Sequence, residues 1–251
     1  MSDSVAEPQP QPQEKVNPFA RIVGVFFSPN ETFQSIARKP DFGVPLTILA
    51  LLSLVTGWVL ASRLDFVAMM REAMESNPQT ASMPAERLDS TVKMMAGVTK
   101  AISYASPLVS ILMLVILSGI IFLAFRMFGG QGDFKQAFSA TVYAWYPPLL
   151  KGVIAFIVLL NRKNISMVDL QNPVRSNLGF LVNPKTQPLA FAFLSSIDVF
   201  SIWLVILLII GFAALSRLSK ARSAAIVITL WIIGTLLKLI GPAIQAMRMK
   251  S

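Results

Sequence analysis

Three charged residues fall inside stretches that are otherwise apolar: Lys151, Asp198 and Lys238. An ionised group in hydrocarbon is costly and finds a partner or water, so these positions carry whatever chemistry the apolar segments hold. They could form a proton or ion relay, the floor of a polar cavity, or a buried salt bridge of Asp198 with Lys151 or Lys238. The bridge is the preferred reading, because there is no second acid to pass a proton on. His and Cys are absent altogether. That removes the usual general base, the thiol nucleophile, imidazole or thiolate metal ligands and any disulfide. Ser195, Ser196 and Ser201 have no base beside them except the lysines, so no catalytic residue, metal or cofactor is expected and the chain reads as a non-enzyme.

The elements that must position these charges are membrane helices. Hydrophobic residues make up 54% of the 251 residues and charged ones 14%, a balance that a soluble globule does not have. A hydrocarbon core about 30 Å thick needs roughly 20 apolar residues per helix. Five runs qualify: 42–62, 101–125, 136–160, 189–216 and 223–246. The first two lack charge; the third contains Lys151 and Pro147-Pro148, the fourth Asp198 and the fifth Lys238. If spans three and four meet on one side, Lys151 and Asp198 each lie about nine residues in, roughly 13 Å, and Lys238 about 12 Å. All three are expected near one level. The stripes Ser195, Asp198, Ser201 and Gly234, Lys238, Gly241, Gln245 would be the bundle-facing seams. Pro147-Pro148 predicts a kink in span three.

Outside the spans, residues 1–16 are Pro- and Gln-rich and read as a retained disordered tail. Residues 17–40 read as two amphipathic helices. Phe19, Ile22, Val23, Phe26 and Phe27 form one face, and Ser28-Pro29-Asn30-Glu31 a capping box before Phe33, Ile36 and Ala37. That face fits a membrane interface or the protein's own bundle equally well. Residues 63–100 read as a helical hairpin outside the bilayer, with helical periodicity in Leu64, Val67 and Met74 before Asn77-Pro78 and in Leu88, Val92 and Met95 after it. Six of the twelve methionines lie there, which fits amphipathic packing better than copper(I) capture. The 161–188 connection, with its Asn-Pro pairs, reads as an ordered loop. Small residues at Ser53, Gly57 and Ala61 predict close helix approach, in the bundle or in a homo-oligomer. The net charge of +9 is spread over loops with no dense basic stripe, so nucleic acid is not an expected partner. Arg217, Lys220 and Arg222 crowd one short loop, which favours a cytoplasmic N-terminus and an external C-terminus.

These residues resemble the Yip (Ypt/Rab-interacting protein) domain family in its bacterial form, over roughly 18–247. Val25-Phe26-Phe27-Ser28-Pro29 with Phe33 is similar to the family's approach to the membrane. Ser106-Pro107-Leu108 resembles its G-P-L, with Ile102-Ser103-Tyr104-Ala105 where the eukaryotic branch has an acidic lead. Gly129-Gly130-Gln131-Gly132-Asp133-Phe134-Lys135-Gln136 resembles the bacterial glycine stretch. Tyr143 with Pro147, and Asp198 with Phe200 and Trp203, resemble the motifs of spans three and four. The resemblance implies an all-α, five-helix transmembrane bundle with a cytoplasmic N-terminus, in eukaryotes tied to vesicle trafficking through Rab GTPases. For this chain the reading is a multi-pass bacterial inner-membrane organiser or adaptor acting on lipid or membrane-protein partners, with small-solute or ion transport as the alternative.

Overall fold

The computed structural model describes residues 17–75, 78–162, 165, 169–170, 172–184 and 186–248. The expected tail 1–16 lies outside them. Among the described residues there is no β-strand, and five helices are long and apolar enough to cross a membrane.

The chain enters through a short helical pair. In α1 (Pro18–Phe27) Asn17 accepts the N–H groups of Phe19 and Ala20 at 3.1 and 3.2 Å, and Pro18 fills a first-turn position that needs no donor. Then α2 (Pro29–Arg38) starts immediately, so Ser28 is shared: its N–H closes α1 on the Gly24 carbonyl while Pro29 opens α2. The expected capping box is not made, since Ser28 contributes no side-chain cap. Val25, Phe33 and Ile36 are fully buried in the main core, so the pair packs on the bundle. The predicted apolar face divides in two. Ile22 and Phe26 turn to the core, whereas Phe19, Val23 and Phe27 are exposed, as an i, i+4, i+8 spacing requires.

Two spans then form an offset pair, α3 (Gly43–Arg63) and α7 (Ser106–Met127). The small-residue face of α3 is used inside the molecule. Ser53 Oγ lies 3.3 Å from Ser110 Oγ, the Ser106 hydroxyl donates to the Ser53 carbonyl at 2.8 Å, Gly57 abuts the Ser103 carbonyl, and Ala61 is buried. Between these spans lie α4 (Phe66–Glu75), α5 (Pro78–Ala81) and α6 (Ala85–Tyr104). They form the expected hairpin around a separate small core of Ala61, Phe66, Met70, Met74, Leu88, Val92 and Ala96. Met69 and Met70 are both buried there, whereas Val67 and Met95 point outward.

Span three is α8 (Phe134–Ala144) followed by α9 (Tyr146–Leu160). Pro147 and Pro148 sit in the first turn of α9, so the hinge falls at Trp145, where the missing donors cost least. Span four departs from expectation. A helix α10 (Pro188–Ser196) ends, Ile197-Asp198 leaves helical geometry, and α11 (Val199–Ser216) begins anew. The spanning segment is therefore 199–216, with Asp198 at its start and not within it. Span five is α12 (Lys220–Arg248), of which Lys220–Ile244 is apolar enough to span. The main core lies where α2, α7, α8 and α11 converge, around Tyr143, Phe125, Phe212 and Phe33.

Candidate functional site

Asp198 owes its position to the helix break. As N-cap of α11 it is extended (φ −122°, ψ 137°), and its Oδ1 accepts the N–H groups of Phe200 at 2.9 Å and Ser201 at 3.3 Å. A carboxylate there also meets the positive end of the helix dipole. Its Oδ2 receives Lys151 Nζ at 2.8 Å and Ser176 Oγ at 2.5 Å. The carboxylate is 1% exposed and every lone-pair direction has a donor.

The segment behind the break is clamped by its own loop. Asn177 pairs with Asp198 in an isolated antiparallel bridge, Leu178 N–H donates to the Ile197 carbonyl at 3.3 Å, and Val199 N–H donates to the Ser176 carbonyl at 3.2 Å. Asn172 and Asn177 exchange amide hydrogen bonds, and Asn177 Oδ1 accepts Gly179 N–H at 2.9 Å at the start of a 3₁₀ turn (Leu178–Leu181). The expected ordered loop thus does more than connect: it supplies Ser176 to the ion pair. Ser195 Oγ is buried against Gly179 and has no hydrogen-bond partner among the described residues.

Of the three predicted charges, the structure brings together Lys151 and Asp198 and leaves Lys238 out. Lys238 is exposed on α12 and makes no ion pair among the described residues. Gly234 and Gly241 have nothing within 4 Å of a would-be Cβ, so the predicted Gly234, Lys238, Gly241 seam does not face the bundle; the Gln245 side chain lies outside the described set. The physical reason is the break itself. Once Asp198 caps a helix and accepts from Lys151 and Ser176, no residual charge remains to draw in a second lysine.

A second buried polar group holds the amino-terminal pair to span three. Arg21, 6% exposed, forms an ion pair with Asp41 through Nη1. It also donates to the carbonyls of Lys39 and Ser35, each at 2.9 Å, and to Ser35 Oγ at 2.7 Å. Asp41 Oδ2 in turn accepts the Tyr143 hydroxyl at 2.8 Å, and Tyr143 is fully buried. Neither Arg21 nor Asp41 is among the site residues expected from the sequence. The signal was present: Arg21 lies four residues before Val25, on the face that turns inward.

The remaining motif positions are structural. Pro29 opens α2 and Pro107 opens α7. Phe33 lies against Gly211, where a Cβ would come within 2.9 Å of its ring, and Phe26 meets Trp203 edge-on at 5.2 Å. In the glycine stretch, Gly129 and Gly132 take φ of 81° and 98°, which only glycine adopts without strain. That turn lets Gln131 N–H reach the Ser216 carbonyl at 2.9 Å. Asp133 and Gln136 then form a capping box on α8, and Gln136 Nε2 donates to the Ala37 carbonyl at 2.7 Å. One loop ties α2, α8 and α11 together.

A bundle of five such helices defines a multi-pass helical membrane protein. The chain belongs to the Yip1 domain family, whose model matches residues 23–240. It is similar to the membrane protein YknW of Bacillus subtilis (strain 168), 23% identical over 201 residues, covering 79% of this chain and 80% of that protein. No solved structure matches.

Proposed function

We propose that this Yip1 domain protein is a non-enzymatic membrane organiser or adaptor of a bacterial inner membrane, with its N-terminus in the cytoplasm and its C-terminus outside. The observation that carries the reading is the saturation of Asp198. Four donors occupy its carboxylate, so the acid that starts α11 has no position left for a travelling ion. What the bundle leaves open is apolar. Along α12, Ile232, Leu236, Leu237 and Ile240 are exposed, a surface suited to lipid or to another membrane helix. Crosslinking in native membranes followed by purification tests this: a reproducible partner or a homo-oligomer is expected, and an isolated monomer overturns it.

Transport is the second reading, and one observation favours it. The Lys151 side chain keeps 28% exposure, so one side of the ion pair is not sealed. Reconstituted vesicles carrying wild type or Asp198→Asn separate the two functions. Flux present in the wild type and lost in the variant would establish transport; flux absent from both removes it.

A further inference from the structure

One end of the bundle is built from the α1 to α2 turn, the glycine loop and the loop from α11 to α12. Three contacts bring these together: Gln131 N–H to the Ser216 carbonyl, Gln136 to the Ala37 carbonyl, and Lys220 Nζ to Asn30 Oδ1 at 3.3 Å. Arg38, Arg126, Lys135, Arg217, Lys220 and Arg222 are all exposed there, and none makes an ion pair among the described residues. Of the acids at this end, Asp133 is engaged as the cap of α8 and Asp41 by Arg21 and Tyr143, leaving Glu31. The opposite end differs in balance: Arg63, Arg87, Lys100 and Arg175 are exposed there too, but they stand among six acids, Asp65, Glu72, Glu75, Glu86, Asp89 and Asp169. There Arg71 and Lys93 pair with Asp89, and Arg162 pairs with Asp169.

Arg217 adds an independent sign. It is the C-cap of α11 with φ 59° and ψ 14°, and it is the one non-glycine residue with positive φ among the described residues. Glycine normally fills that position because a Cβ is strained there. An arginine at this place keeps a strained backbone and offers an unpaired guanidinium to the outside. Exposed apolar side chains stand at the same end, Phe27 and Met127 at 83% and Phe128 at 65%, of the type that enters the acyl boundary beneath charged headgroups.

We propose that this end binds the anionic phospholipid headgroups of the leaflet in which it stands, with Arg217, Lys220 and Arg222 at the centre of the contact. The proposal deepens the organiser reading by naming its lipid partner. It rests on that reading only for its purpose, because lipid retention is measured without any protein partner. Unpaired guanidinium and ammonium groups match phosphate oxygens, the guanidinium in bidentate fashion. Each cation near an anionic surface strengthens binding by roughly fivefold, and salt screens the effect.

The full chain is purified in detergent with phosphatidylcholine and phosphatidylglycerol supplied together, and retained lipids are measured by native mass spectrometry. Wild type is expected to retain phosphatidylglycerol over phosphatidylcholine, and to lose that preference as salt rises from about 0.1 M to about 1 M. Arg217→Gly relieves the backbone strain, so it folds at least as well as wild type while binding roughly fivefold more weakly. The triple variant R217Q/K220Q/R222Q loses the preference, whereas R87Q/K100Q/R175Q at the opposite end keeps it. Equal retention in wild type and Arg217→Gly, or equal loss in the two triple variants, overturns the proposal and leaves an acidic segment of a protein as the occupant. Loss of every crosslinked partner with lipid preference intact would instead remove the organiser reading alone.

Discussion

The hydroxyl of Tyr143 donates to Asp41 across 2.8 Å and 102 residues of chain, and Asp41 also holds Arg21. This link fastens the amino-terminal helical pair to span three from inside the core. Tyr143→Phe keeps the ring and removes one charge-assisted bond, so a loss of about 1.5–3 kcal/mol of stability is expected. Arg21→Met leaves Asp41 partly buried without its cation and costs more, about 3–5 kcal/mol. Thermal unfolding in detergent, with proteolysis between α2 and α3 as a local readout, checks both. Equal stability of all three proteins would show that the clamp holds nothing.

Lys151 and Asp198 make a coupled pair whose strength a double-mutant cycle can isolate. Asp198→Asn can still cap α11 but loses its charge, and it is expected to cost about 1–3 kcal/mol. Lys151→Met leaves a buried carboxylate held by Ser176 and two backbone donors, and it should cost as much or more. The double variant should be less unstable than the sum of the two, because removing both charges removes the penalty of an unpaired one. Additive effects would mean that the two side chains act separately.

Much of this architecture is written in the order of apolar runs. Spans one and two follow from charge-free stretches, spans three and five from apolar stretches with one lysine each, and the hairpin follows from the periodicity of Leu88, Val92 and Met74. The break in span four is not legible, because Ser195 to Phe200 holds neither Pro nor Gly to mark an interruption and its one charge is Asp198 itself. An acid in an apolar run reads as a buried charge, and only the neighbouring loop, through Ser176 and Asn177, turns it into a cap. Periodicity likewise placed Phe19 to Phe27 on a helix but could not divide them. Both sides of α1 are apolar, one toward Val25 and the core and the other outward. Arg21 and Asp41 pair across two helices, a contact that sequence separation hides.

Close approach at one glycine makes a further test. A methyl group at Gly57 would run into the Ser103 backbone carbonyl, which cannot turn aside as a side chain can. Gly57→Ala should therefore separate α3 from the junction of α6 and α7 and cost about 1–3 kcal/mol. At Gly119 and Gly152, both within helices, nothing lies within 4 Å. Alanine there is expected to be neutral or to stabilise by up to about 1 kcal/mol. Unfolding midpoints of the three variants decide the matter, and a tolerated Gly57→Ala would show that the helices are not in contact at that point.

The hairpin of α4 and α6 carries the one pH response expected of its ion pairs. The Asp89 carboxyl is lowered from its ordinary value, first by its hydrogen bond to Lys93 and then by that to Arg71. A folded-state value below the unfolded one means that this contribution is fully present above the ordinary carboxylate range and is lost as pH falls through the lowered value. The α4 and α6 pair should therefore hold steady from neutral pH down to about pH 4 and loosen below it. Because the pair is solvent-exposed, salt should blunt the effect. Hydrogen exchange of α6 amides against pH gives the measurement. Asp89→Asn should flatten the acid limb without altering exchange in α11, whereas an unchanged acid limb in that variant would assign the response to other carboxylates.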